Sequence, residues 1–396
     1  AARPAAPAAR APPPPPPRRP RPRRPRPPPP PPPPPPPRRP PPPPPPPRAR
    51  GGGASRGAAG DDESFASVLE ASLGPTICRH FYFPYARKIW GVAPEALSGV
   101  QAHKRVSANS FAKLLNKILR PGGKKIFFYP RQGFGQISRA YATGAQAAGA
   151  TLYTDTAVTA LQRPGPQNRW RVHFQGPGGG DAVEVDYVWS TLPLTVVARL
   201  LDPPPPETIA QAAQGIAYRG MILLYLQLPK AQFHPTDAHY FPEPSVAMTR
   251  LSEPKNYAAT AEPAASTVLC AEIPCDPGDS TWSLDDATLA EQVVADIRRL
   301  GLPLDVEPRQ VFTRRLPQAY PIYQRGYQDA LDPLDHWLSD LPGFLSYGRQ
   351  GLFQHDNTHH ALAMAYAAVN CLEGGTFDAV AWAAHREVFK THVVED

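Results

Sequence analysis

The chain has 396 residues, enough for more than one domain, and its formal net charge of +8 comes from one segment. Residues 1–60 hold 13 of the 42 basic residues and no acidic one, so 29 basic residues face 34 acidic ones in 61–396. Because that remainder is slightly acidic, its composition gives no reason to expect nucleic-acid binding.

The sequence shows no pattern typical of a membrane span, a secretory leader or a cysteine motif. No apolar run reaches the roughly 18 residues of a membrane span, and no secretory leader is visible. The four cysteines form no CxxC pair and have no partners at metal-ligand spacing. We therefore expect a cytoplasmic protein with free thiols and without an integral membrane segment.

The first 60 residues form a low-complexity segment of Ala, Pro, Arg and Gly, with Ser55 as the one exception. Such a composition cannot bury a core, so we predict a disordered Pro/Arg-rich N-terminus of extended polyproline and coil. All four amino acids have codons made of G and C alone, and a misread GC-rich upstream region is one interpretation. The other is an arm that binds acidic partners or SH3-like grooves.

Helical and strand patterns alternate from Asp61 onward. Residues 61–91 predict a helix and then an aromatic segment that ends at Gly91, and 107–123 predicts an amphipathic helix. The elements predicted next are a strand over 124–130, a helix over 133–150, and strands over 151–163, 169–176 and 182–193.

Four prolines at 203–206 mark a boundary in the chain. The elements predicted beyond it are strands over 217–229 and 266–274, a helix over 285–301, a strand over 306–323, a strand over 343–353 that ends in a Gly-rich loop, and a helix over 357–372. This mixture predicts an α/β unit that is interleaved with an α+β domain.

The stretch "GFGQIS" over 133–138 partly matches the dinucleotide-binding motif G-x-G-x-x-G, and Asp155 lies where that motif has its ribose-binding acid. Ser138 stands where the third glycine should be, however. Residues 130–132 also separate the glycines from the preceding strand, so the turn is not tight. We do not assign a phosphate site to this stretch.

The histidine-rich stretch "GRQGLFQHDNTHHALAMA" over 348–365 allows two kinds of site. His355 and His359 are four residues apart, as zinc ligands on one helix would be. The pair Asp356-Asn357 looks like a helix cap, however, which leaves His355 outside the helix and the set without a third ligand. We therefore expect no metal at His355, His359 or His360.

The other reading of this stretch is a cofactor cradle. A strand ends near Gly348, Gly351 lets the backbone turn, and a helix begins at Asn357 or Thr358 with its N–H groups exposed. The alanines of the helix would let a flat ligand come close, and the positive end of the helix dipole would stabilise negative charge on that ligand. A tightly packed core helix explains the same pattern equally well.

"GRQGLFQHDNTHHALAMAYAA" resembles the C-terminal flavin segment of the FAD-dependent amine oxidase superfamily. This group includes protoporphyrinogen oxidases and carotenoid desaturases, with UDP-galactopyranose mutases as relatives. The stretches "FYFPYARKIWGVAPEALS" (81–98) and "YPRQGFGQISRAYATGAQAAGATLYTDTAVTAL" (129–161) are also similar to segments of the family. The stretches "STLPLTVVARLL" (190–201) and "RRLPQAYPIYQRGY" (314–327) agree as well, so the resemblance covers roughly 65–390.

The resemblance implies an α/β fold in which an incomplete Rossmann-like FAD/NAD(P)-binding fold is interleaved with an α+β substrate-binding domain. The family begins with a strand, a G-x-G-x-x-G turn and a ribose-binding Glu, whereas this chain has polyproline there. We therefore expect weak FAD binding and a central sheet without its first strand. The implied segments are the tail 1–60, helices of the substrate domain in 61–123, FAD-binding segments in 124–203 and 341–396, and the rest of the substrate domain in 204–340.

The resemblance also implies the cofactor contacts. Val158 would meet the adenine through its backbone, and Thr191 would lie near the ADP moiety. Gly348 and Arg349 would approach the flavin. The residues expected along the ribityl chain and the flavin C2 carbonyl are Phe353, Asn357, Thr358 and His359, the last standing where close relatives usually carry an acid.

The implied activity is removal of hydride from a C–H bond of a small molecule onto flavin N5. The substrate would be an amine, a porphyrinogen, a polyene or a nucleotide sugar, and no catalytic base can be named. Tyr82, Tyr225 and Tyr320 are the expected substrate contacts. A mutase-like isomerase with Arg314, Arg315 and Tyr323 around a diphosphate, a non-catalytic remnant, and an interaction protein that works through the arm are the alternatives.

Overall fold

The computed structural model describes residues 63–105, 129–163, 165, 169–258 and 262–394. The predicted disordered segment 1–60 and the helix predicted over 107–123 lie outside the described residues. So does the strand predicted over 124–130, apart from Tyr129 and Pro130, which are not in a strand.

The described residues form both helices and strands. The helices are α1 (Phe65–Leu73), α2 (Pro75–Ile77), α3 (Phe83–Trp90), α4 (Gly99–Arg105), α5 (Gly135–Ala147), α6 (Leu194–Leu200), α7 (Glu207–Gln214), α8 (Pro254–Tyr257), α9 (Asp286–Arg299), α10 (Tyr327–Ser339), α11 (Gly348–Gly351), α12 (Thr358–Asn370) and α13 (Ala379–Lys390). The strands are β1 (Ala157–Gln162), β2 (Trp170–Gly176), β3 (Gly179–Val185), β4 (Val188–Ser190), β5 (Leu201–Asp202), β6 (Tyr218–Leu228), β7 (Ala238–Tyr240), β8 (Arg250–Ser252), β9 (Thr267–Pro274), β10 (Gln310–Pro321), β11 (Phe344–Ser346), β12 (Leu372–Glu373) and β13 (Thr376–Phe377). In this part of the chain no helix is both long enough and apolar enough to cross a membrane.

These strands form four sheets. A five-stranded sheet has the order β10-β6-β9-β8-β7, and a four-stranded sheet has the order β3-β2-β1-β5. Strands β4 and β11 pair in parallel, with Ser190 opposite Ser346. Strands β12 and β13 form a short antiparallel hairpin.

Helix α9 shows how local sequence sets the packing on the five-stranded sheet. The Asp285 carboxylate caps the helix by accepting the Thr288 N–H at 2.8 Å. Leu289, Val293 and Ile297 recur every four residues and are buried. Together with apolar residues of β6 and β9 they make the largest hydrophobic core.

Strands β4 and β11 anchor a second core. Phe344 and Trp170 are buried there, and the Trp170 indole N–H donates to the Pro342 carbonyl at 2.8 Å. Apolar residues of α6 and α10 complete this core. The four-stranded sheet is thereby tied to the parallel pair through one tryptophan.

Most of the predicted elements are present, and the differences are local. The strand predicted over 182–193 is two strands, β3 and β4, which belong to different sheets. Residues 151–156 lie outside any strand, and the predicted Gly-rich loop after β11 contains the one-turn helix α11. The aromatic segment before Gly91 is helical, with a π-helical turn over Cys78–Tyr82. All four cysteines are free, as predicted, and all four are buried.

Candidate active site

The carboxyl ends of two parallel strands, β4 and β11, lie at one edge of the fold. Strand β4 ends at Ser190 and β11 ends at Ser346, and Thr191 and Gly348 follow them. A Cβ added to Gly348 would lie 3.6 Å from Thr191 Cγ2, so the glycine packs directly against the Thr191 side chain. Because ligands of α/β sheets bind beyond the carboxyl ends of parallel strands, this edge is the expected cofactor side.

The turn at α11 is built from small residues and side-chain hydrogen bonds. Ser346 Oγ donates to the Gly351 carbonyl at 2.7 Å, and Gln350 Nε2 donates to the Gln318 carbonyl at 2.8 Å. A Cβ on Gly351 would meet Ser346 Oγ at 2.9 Å and the Ser190 carbonyl at 3.1 Å. Glycine is therefore required at 351 by close approach.

We expect Gly351→Ala to lower the free energy of unfolding by about 1–3 kcal/mol, because the methyl group forces β4 and β11 apart. Gly144→Ala is the matched control, since a Cβ there meets nothing within 4 Å in helix α5. That change should stabilise by about 0.5–1 kcal/mol. Urea denaturation of both variants measures the difference, and an equal effect of the two would contradict the packing argument.

A cavity of about 200 Å³ lies between the five-stranded sheet, helix α3 and the segment 349–357. Its walls carry phenol, guanidinium, carboxylate and amide groups beside a few apolar side chains. The sheet supplies Met221, Tyr240, Arg250, Glu272 and Tyr320, α3 supplies Tyr85 and Ile89, and the third wall holds Arg349, His355, Asp356 and Asn357.

Helix α3 is held against the sheet by a lysine. Lys88 Nζ donates to the backbone carbonyls of Phe241 at 2.6 Å, Met248 at 2.8 Å and Glu243 at 3.1 Å. Burial lowers the pKa of Lys88 to about 8. The three carbonyl acceptors favour the charged ammonium group and so partly offset the effect of burial. This contact fixes the wall that carries Tyr85.

Two charged groups of the cavity form an ion pair on neighbouring strands. Arg250 and Glu272 are opposite each other on β8 and β9, and Arg250 Nε donates to Glu272 Oε1 at 3.0 Å. Burial opposes the charge of Arg250, but the Glu272 carboxylate raises the pKa of this guanidinium. Burial and the nearby Tyr240 raise the pKa of Tyr85, so its phenol is neutral and can donate a hydrogen bond.

Arg349 faces the cavity from the end of the parallel strands. Its guanidinium lies 4.6 Å from the centroid of the Tyr320 ring, a cation–π contact. The buried His355 ring stacks on Tyr320 with the ring centroids 6.3 Å apart, and it meets Trp90 edge-on at 5.0 Å. The positive charge of Arg349 is thus held between the carboxyl ends of β4 and β11, where we expect the flavin, and the five-stranded sheet.

Some of the residues predicted from the sequence meet at this cavity. Arg349, Asn357 and Tyr320 line it. Gly348 and Thr191 lie together at the strand ends next to Arg349. The structure therefore brings the predicted flavin segment and one predicted substrate tyrosine to one place.

Other predicted residues lie elsewhere. Val158, Thr358 and His359 are exposed, and their cofactor roles stay predictions. Phe353 is buried against Tyr218 and other aromatic rings, so its side chain belongs to the core and only its backbone could line a cofactor.

The two remaining substrate tyrosines do not line the cavity. Tyr82 packs in the helical core, and Tyr225 stacks on Phe312 at 4.7 Å. Sequence reasoning missed Tyr85, although it lies in the quoted aromatic segment. It also missed Tyr240, Arg250 and Glu272, which converge only when β7, β8 and β9 pair.

The start of α12 holds a second cluster of polar groups. Asn357 caps the helix, and its backbone N–H approaches His360 Nδ1 at 3.2 Å. Asp356 Oδ1 lies 3.2 Å from Nδ1 of both His360 and His392. Of the described residues, these three form the group whose ligand atoms could surround one metal ion.

The sequence model of flavin-containing amine oxidoreductases matches residues 56–356, about three quarters of the chain. The chain belongs to this family. The family cofactor is a flavin, which confirms the prediction of FAD. The residues at the strand ends fit such a group, because Gly348 and Gly351 keep Cβ atoms out of the turn and Arg349 directs a positive charge into the adjoining cavity.

Solved structures of flavoproteins share the fold of this family member. A reduced UDP-galactopyranose mutase matches with a TM-score of 0.66 and 18% identity, over 86% of this chain and 74% of that chain. A proposed protoporphyrinogen oxidase from Exiguobacterium sp. 255-15 matches at 0.54 and 20%, and a redesigned putrescine oxidase at 0.50 and 17%. The latter two alignments cover 72% of this chain and span 62% of each oxidase. No curated protein matches the sequence significantly.

Proposed function

We propose that this chain is an FAD-dependent oxidoreductase that removes hydride from a carbon beside nitrogen in a small polar amine. The observation that carries the proposal is the cavity in which Arg349 and Asn357 meet Tyr85, Tyr240 and Tyr320. Family membership supports the flavin, and the geometry of the cavity supports the place where a substrate would lie against it.

The flavin supplies the hydride acceptor, and the chain supplies position and charge. Arg349 is fixed by Tyr320 and stabilises negative charge at the cofactor side of the cavity. Asn357 caps α12, whose positive dipole end acts in the same direction. The aromatic walls would orient the substrate and exclude water.

Size and chemistry of the cavity favour a small polar substrate. Drug-sized ligands fill about 300–1,000 Å³, whereas this cavity measures about 200 Å³. A tetrapyrrole or a long polyene would exceed it, and a polyene would also meet charged walls. The rings of Tyr85 and Tyr240 would attract the ammonium form of an amine as it enters, as aromatic faces attract ammonium groups.

A mutase-like isomerase is the second candidate, and the pair of cavity arginines favours it. Arg250 and Arg349 both line the cavity and could hold a diphosphate. The residues first considered for this role are placed differently, since Tyr323 is buried and Arg315 donates to the Trp282 carbonyl. Such an isomerase uses the reduced flavin without net oxidation of its substrate. The thiols, which are free, are compatible with a cytoplasmic site for either reaction.

The experiment is anaerobic reduction of the chain loaded with FAD. We expect small primary and secondary amines to bleach the visible flavin absorbance, and air to restore it. The parallel arm reduces the flavin chemically, adds UDP-galactopyranose and separates the sugar products by chromatography. Isomerisation without bleaching by amines would favour the mutase, while a loaded chain that is inactive in both arms would contradict both proposals.

A further inference from the structure

We propose that Asp356, His360 and His392 bind a divalent transition-metal ion, zinc in preference to calcium or magnesium. The carboxylate precedes α12, His360 lies in the first turn of that helix, and His392 follows α13. An ion there would join the last described residues of the chain to the helix start that faces the cavity.

The distances fit a small ion. Asp356 Oδ1 lies 3.2 Å from Nδ1 of His360 and 3.2 Å from Nδ1 of His392. Ligand atoms of a tetrahedral zinc ion, with bonds of about 2.0–2.2 Å, are separated by about 3.3–3.6 Å. The three ligand atoms lie within 4.8 Å of one another, so a shift of about 1.5 Å or less in one imidazole brings them to this spacing. Because the two rings are stacked, that imidazole must also turn so that both lone pairs point at the ion.

The placement of the lone pairs also suits a cation. The Asn357 N–H approaches His360 Nδ1 at 3.2 Å, which requires a lone pair on this nitrogen. The same nitrogen lies 3.2 Å from Asp356 Oδ1, which belongs to an acceptor-only group, so neither atom can donate a hydrogen bond to the other. An ion between the two would replace this repulsion with two bonds, and it would compete with the Asn357 N–H for the nitrogen.

Burial makes the carboxylate a strong ligand. The Asp356 side chain is 0% exposed, and the imidazoles of His360 and His392 are 13% and 16% exposed. The two rings stack at 4.2 Å with an interplanar angle of 17°. A buried carboxylate requires compensating charge, and Lys104 is the nearby group that otherwise provides it, although burial lowers the pKa of that lysine.

Two imidazoles and one carboxylate are typical of zinc and its first-row neighbours. Calcium and magnesium prefer oxygen ligands throughout, and a structural zinc in a reducing environment more often has thiolates. A set of three protein ligands leaves one position for water. From the spacing of the histidines near the start of α12 alone, we expected no metal at His360. His392 lies far along the chain and was not considered. The proposal revises that expectation.

The test uses the full chain after removal of metals with a chelator. Zn²⁺ is titrated by calorimetry, and Co²⁺ is titrated in parallel so that its visible ligand-field bands report imidazole coordination. We expect one ion per chain. His392→Ala and Asp356→Asn should each weaken binding more than about 100-fold, since loss of mere supporting contacts already costs about 10–100-fold.

His385→Ala is the matched control, because this histidine lies on α13 and stacks on Phe389 outside the cluster. It should leave the affinity unchanged. Asp356→Asn preserves the volume of the side chain, and circular dichroism of each variant excludes unfolding as the cause of lost binding. Failure of the parent chain to bind one ion overturns the proposal, as does undiminished binding in His392→Ala or loss of binding in His385→Ala.

Discussion

Trp170→Ala is expected to lower the free energy of unfolding by about 4–5 kcal/mol, which would leave little net stability in a typical domain. The indole is fully buried and packs on Phe344, with ring centroids 5.9 Å apart. Truncation of a buried aromatic side chain costs about 3–5 kcal/mol, and the Pro342 carbonyl also loses its donor. Urea denaturation followed by circular dichroism measures the change.

Trp170→Phe separates the two contributions. The phenyl ring keeps most of the contact with Phe344 but cannot donate to Pro342. We expect a loss of about 1–3 kcal/mol. If both variants were equally destabilised, the hydrogen bond rather than the packing would tie the four-stranded sheet to strands β4 and β11.

The helices and strands that were predicted correctly are determined by residues close to them in the sequence. Helix α9 has a capping aspartate and a repeated apolar face, and β6 is an apolar run between turn residues. Helix α12 begins where Asn357 caps it. In each case neighbouring residues contain the physical cause of the structure, so a reading along the chain finds it.

The cavity could be predicted only in part, because its walls come together from distant strands. Arg349, Asn357 and Tyr320 were found through the resemblance to a family. Glu272 and Arg250 look like ordinary strand residues until the register of β8 and β9 places them opposite each other.

The same reason explains one strand that was predicted wrongly and one histidine that the sequence did not point to. The split of 182–193 into β3 and β4 depends on which sheet each half joins, which no local pattern encodes. His392 lies 36 residues beyond Asp356 and shares no periodicity with it, so only the packing of the last helix reveals the cluster.

Arg349→Met is expected to weaken FAD binding by about 10–100-fold. A charge-assisted contact from a guanidinium contributes about 1.5–3 kcal/mol, and methionine keeps much of the volume while removing the charge. The prediction rests on the position of Arg349 at the strand ends, with its guanidinium held over Tyr320. Titration of the chain with FAD, followed by quenching of flavin fluorescence, gives the affinity.

Arg314→Met is a closely matched control for this measurement. Arg314 also carries its guanidinium over an aromatic ring, 5.7 Å from the centroid of Phe312, but it does not line the cavity. Loss of a cation–π contact should cost each variant about 0.5–1 kcal/mol of stability, so the two should unfold at similar urea concentrations. Only Arg349→Met should lose flavin, because only Arg349 joins the cavity to the carboxyl ends of β4 and β11. Equal flavin affinities in the two variants would place the cofactor away from this edge, and the proposed role of Arg349 would then be wrong.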